Sequence, residues 1–216
     1  MKFSLTESQA EIQQLANKIL QEQVTEERLR NLDKQVSGER FDRDLWQQLA
    51  SAGLLGVAID ESHGGMGFDY FSLSLLLEEV GRSVAAVPVV TSLAGAAMLL
   101  TEYASAELQQ QWLPDVVNGQ SILTVAFSEA MSTNDVTPHT VTATNNGSDY
   151  SLNGVKHYVP YAQHAAGIIV SAKISDDENV LVMIDPSQAG VTLDKLDTTT
   201  AEPQSKLTLA NVMISS

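Results

Sequence analysis

Apolar residues recur at two different periods along this chain, and the change between them falls near Asn118-Gly119. Ahead of that point the spacing is helical. Ile12, Leu15, Ala16, Ile19 and Leu20 follow i, i+3, i+4, i+7, i+8, the signature of one face of an amphipathic helix. Thr6 with Gln9 offers a capping-box start for it. Leu45, Trp46 and Leu49 predict a second helix over 42–52, with Gly53 as its C-terminal stop. Gly64-Gly65-Met66-Gly67 reads as a loop, followed by a strongly apolar helix through Leu73–Val80. Leu93–Tyr103 and Ala106–Val117 complete the helical set.

From about Ser121 the period shortens. The runs Leu123–Phe127, Thr140–Ala143, Ile168–Ala172, Val180–Ile184 and Leu207–Val212 are rich in β-branched residues and separated by Asn, Gly, Asp and Pro clusters. Asn145-Asn146-Gly147 and Asn153-Gly154 are hairpin signals. The expected architecture is multi-domain α and β: an all-α N-terminal domain over residues 1–119, then an antiparallel β-barrel or sandwich over 120–216.

Composition narrows the function classes. The 27 acidic and 12 basic side chains leave a net charge of −15, which repels phosphate backbones and anionic lipid. Nucleic-acid and membrane-surface partners are therefore not expected. The uncharged stretch Ser83 to Leu100 has to be weighed as a membrane span, but Pro88, Thr91, Ser92 and Gly95 favour a packed helix after Pro88. The first residues reach Glu7 too soon for a signal peptide, so the cytoplasm is the expected compartment. With no cysteine there is no thiol nucleophile or thiolate metal site. His63, His139, His157 and His164 lack metal-ligand spacing, so no metal is expected. Glu78 and Glu79 read as a solvated helix face, and Glu129 is not promoted to a catalytic base.

Several motifs, in order, carry a family resemblance. Asp44-Leu45-Trp46 leads to Ala52-Gly53-Leu54-Leu55; Ile59-Asp60-Glu61-Ser62-His63-Gly64-Gly65-Met66-Gly67 and Leu77-Glu78-Glu79-Val80-Gly81-Arg82 follow. The β half adds Ala126 to Asp135, then Leu152-Asn153-Gly154-Val155-Lys156 running into His157-Tyr158-Val159-Pro160, then Asp185-Pro186 with Ala189-Gly190-Val191. This ordered series resembles the acyl-CoA dehydrogenase family over essentially the whole chain.

The resemblance implies an FAD-dependent oxidoreductase of fatty-acid or lipid catabolism acting on CH–CH groups. Hydride passes from the β-carbon of an acyl-CoA thioester to flavin N5 while a carboxylate removes the α-proton. It places Phe127 and Ser128 at the flavin's pyrimidine edge. Thr133 and Asn134 fall at a Gly-Ser that contacts flavin, and Asn134 also at the thioester ligand. Tyr158 takes the position of a flavin-side Trp and keeps its flat aromatic surface, a reading favoured by its place in the series over that of an ordinary strand aromatic packed in the core. Pro160 falls where many members have a Thr or Ser bonding N5, and proline can donate nothing. The catalytic glutamate is expected beyond Ser216, in a further helical domain of about 150 residues, so this chain alone is expected to be inactive. The resemblance also implies a homo- or hetero-oligomer and electron-transferring flavoprotein as acceptor. The alternative is a non-catalytic partner subunit, or a flavin- or acyl-CoA-binding homologue, in a hetero-oligomer.

Overall fold

A computed structural model describes residues 4–34, 40–130, 137–147 and 149–215. It divides the chain into two compact units, Met1–Ser121 and Ile122–Ser216.

The first unit is helical. Helix α1 (Glu7–Gln23) starts at the anticipated capping box, in which the Thr6 side chain and Gln9 satisfy each other's backbone N–H groups. Of its apolar stripe, Ile12, Ala16 and Leu20 are buried while Leu15 is exposed. Helix α3 (Arg43–Ser51) buries Leu45, Trp46 and Leu49, and Asp42 caps it by accepting from Leu45 N at 2.9 Å. The Trp46 indole N–H donates to Gly119 O at 3.1 Å, tying α3 to the end of the unit. Helix α2 (Glu26–Asp33) was not predicted, because Leu29 and Leu32 are its only apolar side chains. It is anchored instead by Arg28, whose guanidinium grips the Asp42 carboxylate at 2.5 and 2.6 Å.

Helix α4 (Tyr70–Ser83) packs on α1. Here one expectation fails: Glu78 is exposed and pairs with Arg82, but Glu79 is buried. Its carboxylate accepts from Asn17 at 2.7 Å and Gln13 at 3.3 Å, both on α1, which is what makes a buried charge tolerable. The predicted helix over Leu93–Tyr103 is a widened π-helical stretch, Val90–Ala97, continuing into α5 (Met98–Tyr103). Helix α6 spans Ala106–Val117 as expected. No helix among the described residues is long and apolar enough to cross a membrane.

Among the described residues the second unit is a sheet of seven strands: β1 (Leu123–Ala126), β2 (Thr142–Asn145), β3 (Asp149–Pro160), β4 (Gly167–Lys173), β5 (Asn179–Ile184), β6 (Val191–Leu196) and β7 (Gln204–Ser215). Their order is β1-β4-β2-β3-β7-β6, with β5 on β4. Most pairings are antiparallel, as predicted, but β1 and β2 meet β4 in parallel, so the sheet is mixed. The core is made of Val141, Leu152, Val159, Ile168, Val170, Leu207, Leu209 and Val212 with their neighbours.

Asn145-Asn146-Gly147 does join β2 to β3. Asn153-Gly154 does not make a turn. It lies inside β3 at a register shift, where a Cβ on Gly154 would come within 2.7 Å of Val141 Cα. The glycine there serves close approach of two strands, a use that a hairpin signal mimics in sequence.

Candidate functional site

Strand β3 leaves its partner briefly near its end. It runs antiparallel to β7 until Lys156, then breaks register between Lys156 and Val159. Within that bulge the His157 N–H turns to Ser128 O at 2.8 Å, on the segment after β1, before pairing with β7 resumes at Val159 and Pro160. Bulges re-aim side chains, and this one presents Tyr158 outward: the residue sits at φ +55° and is 64% exposed. A positive φ is unfavourable for a bulky side chain, and such residues gather where the surroundings enforce them. The neighbouring His157 ring lies 6.0 Å away, tilted by 50°. Pro160, half-buried at the end of β3, accepts the Thr124 hydroxyl on its carbonyl at 2.5 Å.

Phe127 and Ser128 are both half-buried beside this bulge. The Phe127 carbonyl accepts from the Lys156 ammonium at 3.1 Å. Among the described residues, nothing accepts from the Ser128 N–H or hydroxyl, while its carbonyl is taken by His157. The structure thus brings Phe127, Ser128 and Tyr158 together across one strand pairing. Thr133 and Asn134 lie outside the described residues.

Beneath this surface is a buried ion pair. The Lys156 side chain is wholly inaccessible and that of Glu129 is 2% exposed, with Nζ 2.7 Å from Oε1. Glu129 Oε2 also accepts from His139 N at 3.0 Å, Thr140 N at 2.6 Å and the Thr140 hydroxyl at 2.8 Å, and Oε1 from Val141 N at 3.3 Å. Burial pushes the Glu129 carboxyl up, but the Lys156 ammonium and the Thr140 donors outweigh it and hold the carboxyl down at about 2. An acid so low and so fully bonded does not act as a general base near neutral pH. Nothing in the sequence marks Glu129 and Lys156 as a pair, since they stand on separate segments. A lysine at an inward-facing strand position is the one available signal, because lysine is almost never fully buried unless paired.

These observations meet what similarity to known proteins adds. Residues 6–120 match the family description "Acyl-CoA dehydrogenase, N-terminal domain". The acyl-CoA dehydrogenase FadE27 of Mycobacterium tuberculosis is 35% identical over 199 residues, 92% of this chain and 51% of that protein. The chain belongs to the acyl-CoA dehydrogenase family. Among solved structures, the ChsE4-ChsE5 complex from Mycobacterium tuberculosis superposes with a TM-score of 0.91 at 33% identity, covering 100% of this chain and 57% of that one. A variant of the Tcur3481-Tcur3483 steroid acyl-CoA dehydrogenase gives 0.88 at 39% identity, covering 96% and 56%. The chain spans about half the length, or less, of the curated relatives it matches.

Proposed function

We propose that this chain provides the flavin-holding part of an FAD-dependent acyl-CoA dehydrogenase, with the isoalloxazine ring lying against Tyr158 and its pyrimidine edge against Phe127 and Ser128. The observation that carries the reading is the pairing of an outward aromatic at a positive φ with donors on Ser128 that meet no acceptor among the described residues, one strand pairing away. Flat aromatic surface beside hydrogen-bond donors is what a ring with one polar edge requires. Bound FAD would supply the acceptor for hydride from the β-carbon of an acyl-CoA thioester. Phe127 and Ser128 would orient the ring, Tyr158 would cover one side of it, and Thr133 and Asn134 would extend the site. Pro160 would lie near the ring without donating to it. The base that removes the α-proton is assigned outside this chain, because Glu129 is committed to Lys156 and Thr140.

The named steroid relative supports a bulky, steroid-like acyl thioester as substrate. Electron-transferring flavoprotein is the acceptor the family implies. A second reading, in which the chain is a partner subunit that completes a site with an unlike subunit, draws support from the complexes named in both of those structures.

The test is FAD retention by the natural gene product, purified with any subunit that accompanies it. Tyr158→Ala should weaken retention by about tenfold, the scale of a contact worth 1.4 kcal/mol. Tyr150→Ala, in the same strand but outside the bulge, should leave it unchanged. Equal retention by both variants removes Tyr158 from the site.

A further inference from the structure

Nothing in a hydride transfer requires Lys156, yet its buried ammonium is held by contacts to three separate groups of the β unit. An ammonium has three donors. Those of Lys156 reach Phe127 O at 3.1 Å, Glu129 Oε1 at 2.7 Å and Ser171 Oγ on β4 at 3.0 Å. Among the described residues, these contacts pair its charge with Glu129 and tie it to β4 and to the Phe127 carbonyl. Buried ion pairs of this kind are often replaced by apolar residues of similar volume without loss of stability. What an apolar pair could not do is hold a carbonyl oxygen.

The peptide linking Phe127 to Ser128 is planar and trans, so its C=O and N–H point to opposite sides. Turning the Phe127 oxygen inward to Lys156 turns the Ser128 N–H away from the buried ammonium. Among the described residues that N–H finds no acceptor. Glu129 holds the ammonium in place and is itself fixed by three backbone N–H groups at 139–141 and the Thr140 hydroxyl.

We propose that Lys156 and Glu129 are positioning residues that lock the Phe127–Ser128 peptide with its N–H facing the flavin's pyrimidine edge. The inference rests on the flavin reading given above. A donor fixed before the ligand arrives costs no ordering on binding. It also stabilises negative charge that builds up on that edge when the ring is reduced, which raises the reduction potential. Without the ammonium, the Phe127 oxygen loses its inward partner and the peptide is free to rotate toward water.

Lys156→Met alone would strand a buried carboxylate, so the informative variant is the uncharged pair Glu129→Gln with Lys156→Met. Measured on the natural gene product with any accompanying subunit, the double variant should bind FAD about tenfold more weakly. Its flavin potential should be more negative than the wild type's. Tyr150→Ala, on β3 but outside this network, should change neither. Should the double variant fail to fold, Thr140→Val serves in its place. It removes one donor to Glu129, keeps both charges, and should shift affinity and potential in the same directions by less. Wild-type affinity and potential in the folded variant, with Tyr158→Ala still weakening binding, would overturn the positioning role and leave the flavin site standing. A wild-type protein that binds no FAD would overturn both.

Discussion

The helical and β units bury charge in opposite ways. In the helical unit the buried Glu79 is satisfied by the amides of Gln13 and Asn17, with the exposed Arg82 3.4 Å away. It fastens one helix to another and orients nothing else. In the β unit, Glu129 and Lys156 are both sealed from solvent and join four segments: residues 127–129, residues 139–141, β3 and β4. Backbone strain follows the same division. Of the described non-glycine residues at positive φ, Val84 belongs to the helical unit, while Tyr158, Tyr161, Ala201 and Asn211 belong to the β unit. The helical unit is built by packing, capping and the Arg28–Asp42 ion pair, and the β unit by fixing particular peptides in particular orientations.

The sharpest way to break this contrast is to remove one charge from each unit. Lys156→Met leaves Glu129 buried and unpaired, and should cost about 3–5 kcal/mol in urea unfolding. Glu79→Gln keeps hydrogen-bonding capacity toward α1 and should cost about 1 kcal/mol. Similar losses would mean that the two buried carboxylates are equivalent supports and that the distinction drawn between the units is empty.

Acid sharpens the comparison further. The Glu129 carboxyl lies at about 2 in the folded chain, against 4.5 for an ordinary glutamate. A carboxyl depressed by folding contributes stability that is fully present above its unfolded value and is lost as pH falls toward the folded one. Its share should therefore disappear between about pH 4.5 and pH 2. Urea midpoints taken across that range should fall more steeply for the wild type than for Glu129→Gln. Parallel slopes would mean that the ion pair does not hold this carboxyl down.

Much of this division is legible in the residues themselves, because each unit advertises its own period. The capping box at Thr6, the stripe through Ile12, Ala16 and Leu20, and the strand runs at 168–172 and 180–184 are local signals, and the structure bears them out. What escaped is non-local. Helix α2 is held by the long reach of Arg28 to Asp42 rather than by an apolar face. Strand β3 was hidden because Asn153-Gly154 has turn chemistry, and only the proximity of Val141 explains why a glycine is needed mid-strand. The family series pointed to Phe127, Ser128 and Tyr158, but it could not disclose the bulge that exposes Tyr158 or the lysine beneath Phe127. Both depend on which strands become neighbours.

The smallest expected effects separate strain that serves a ligand from strain that does not. Val84 ends α4 at φ +55°, a position where glycine is usual and a β-branched residue is costly. Val84→Gly should raise stability by about 1 kcal/mol and leave FAD retention untouched. Tyr158 has the same φ, and asparagine tolerates that region better than tyrosine does. Tyr158→Asn should therefore gain about 0.5 kcal/mol in urea unfolding while weakening FAD retention. The two substitutions relieve the same kind of strain, so only the second couples relief to loss of ligand. If Tyr158→Asn destabilised the chain and kept its flavin, the exposed ring would be a structural contact, and the bulge would have no bearing on the cofactor.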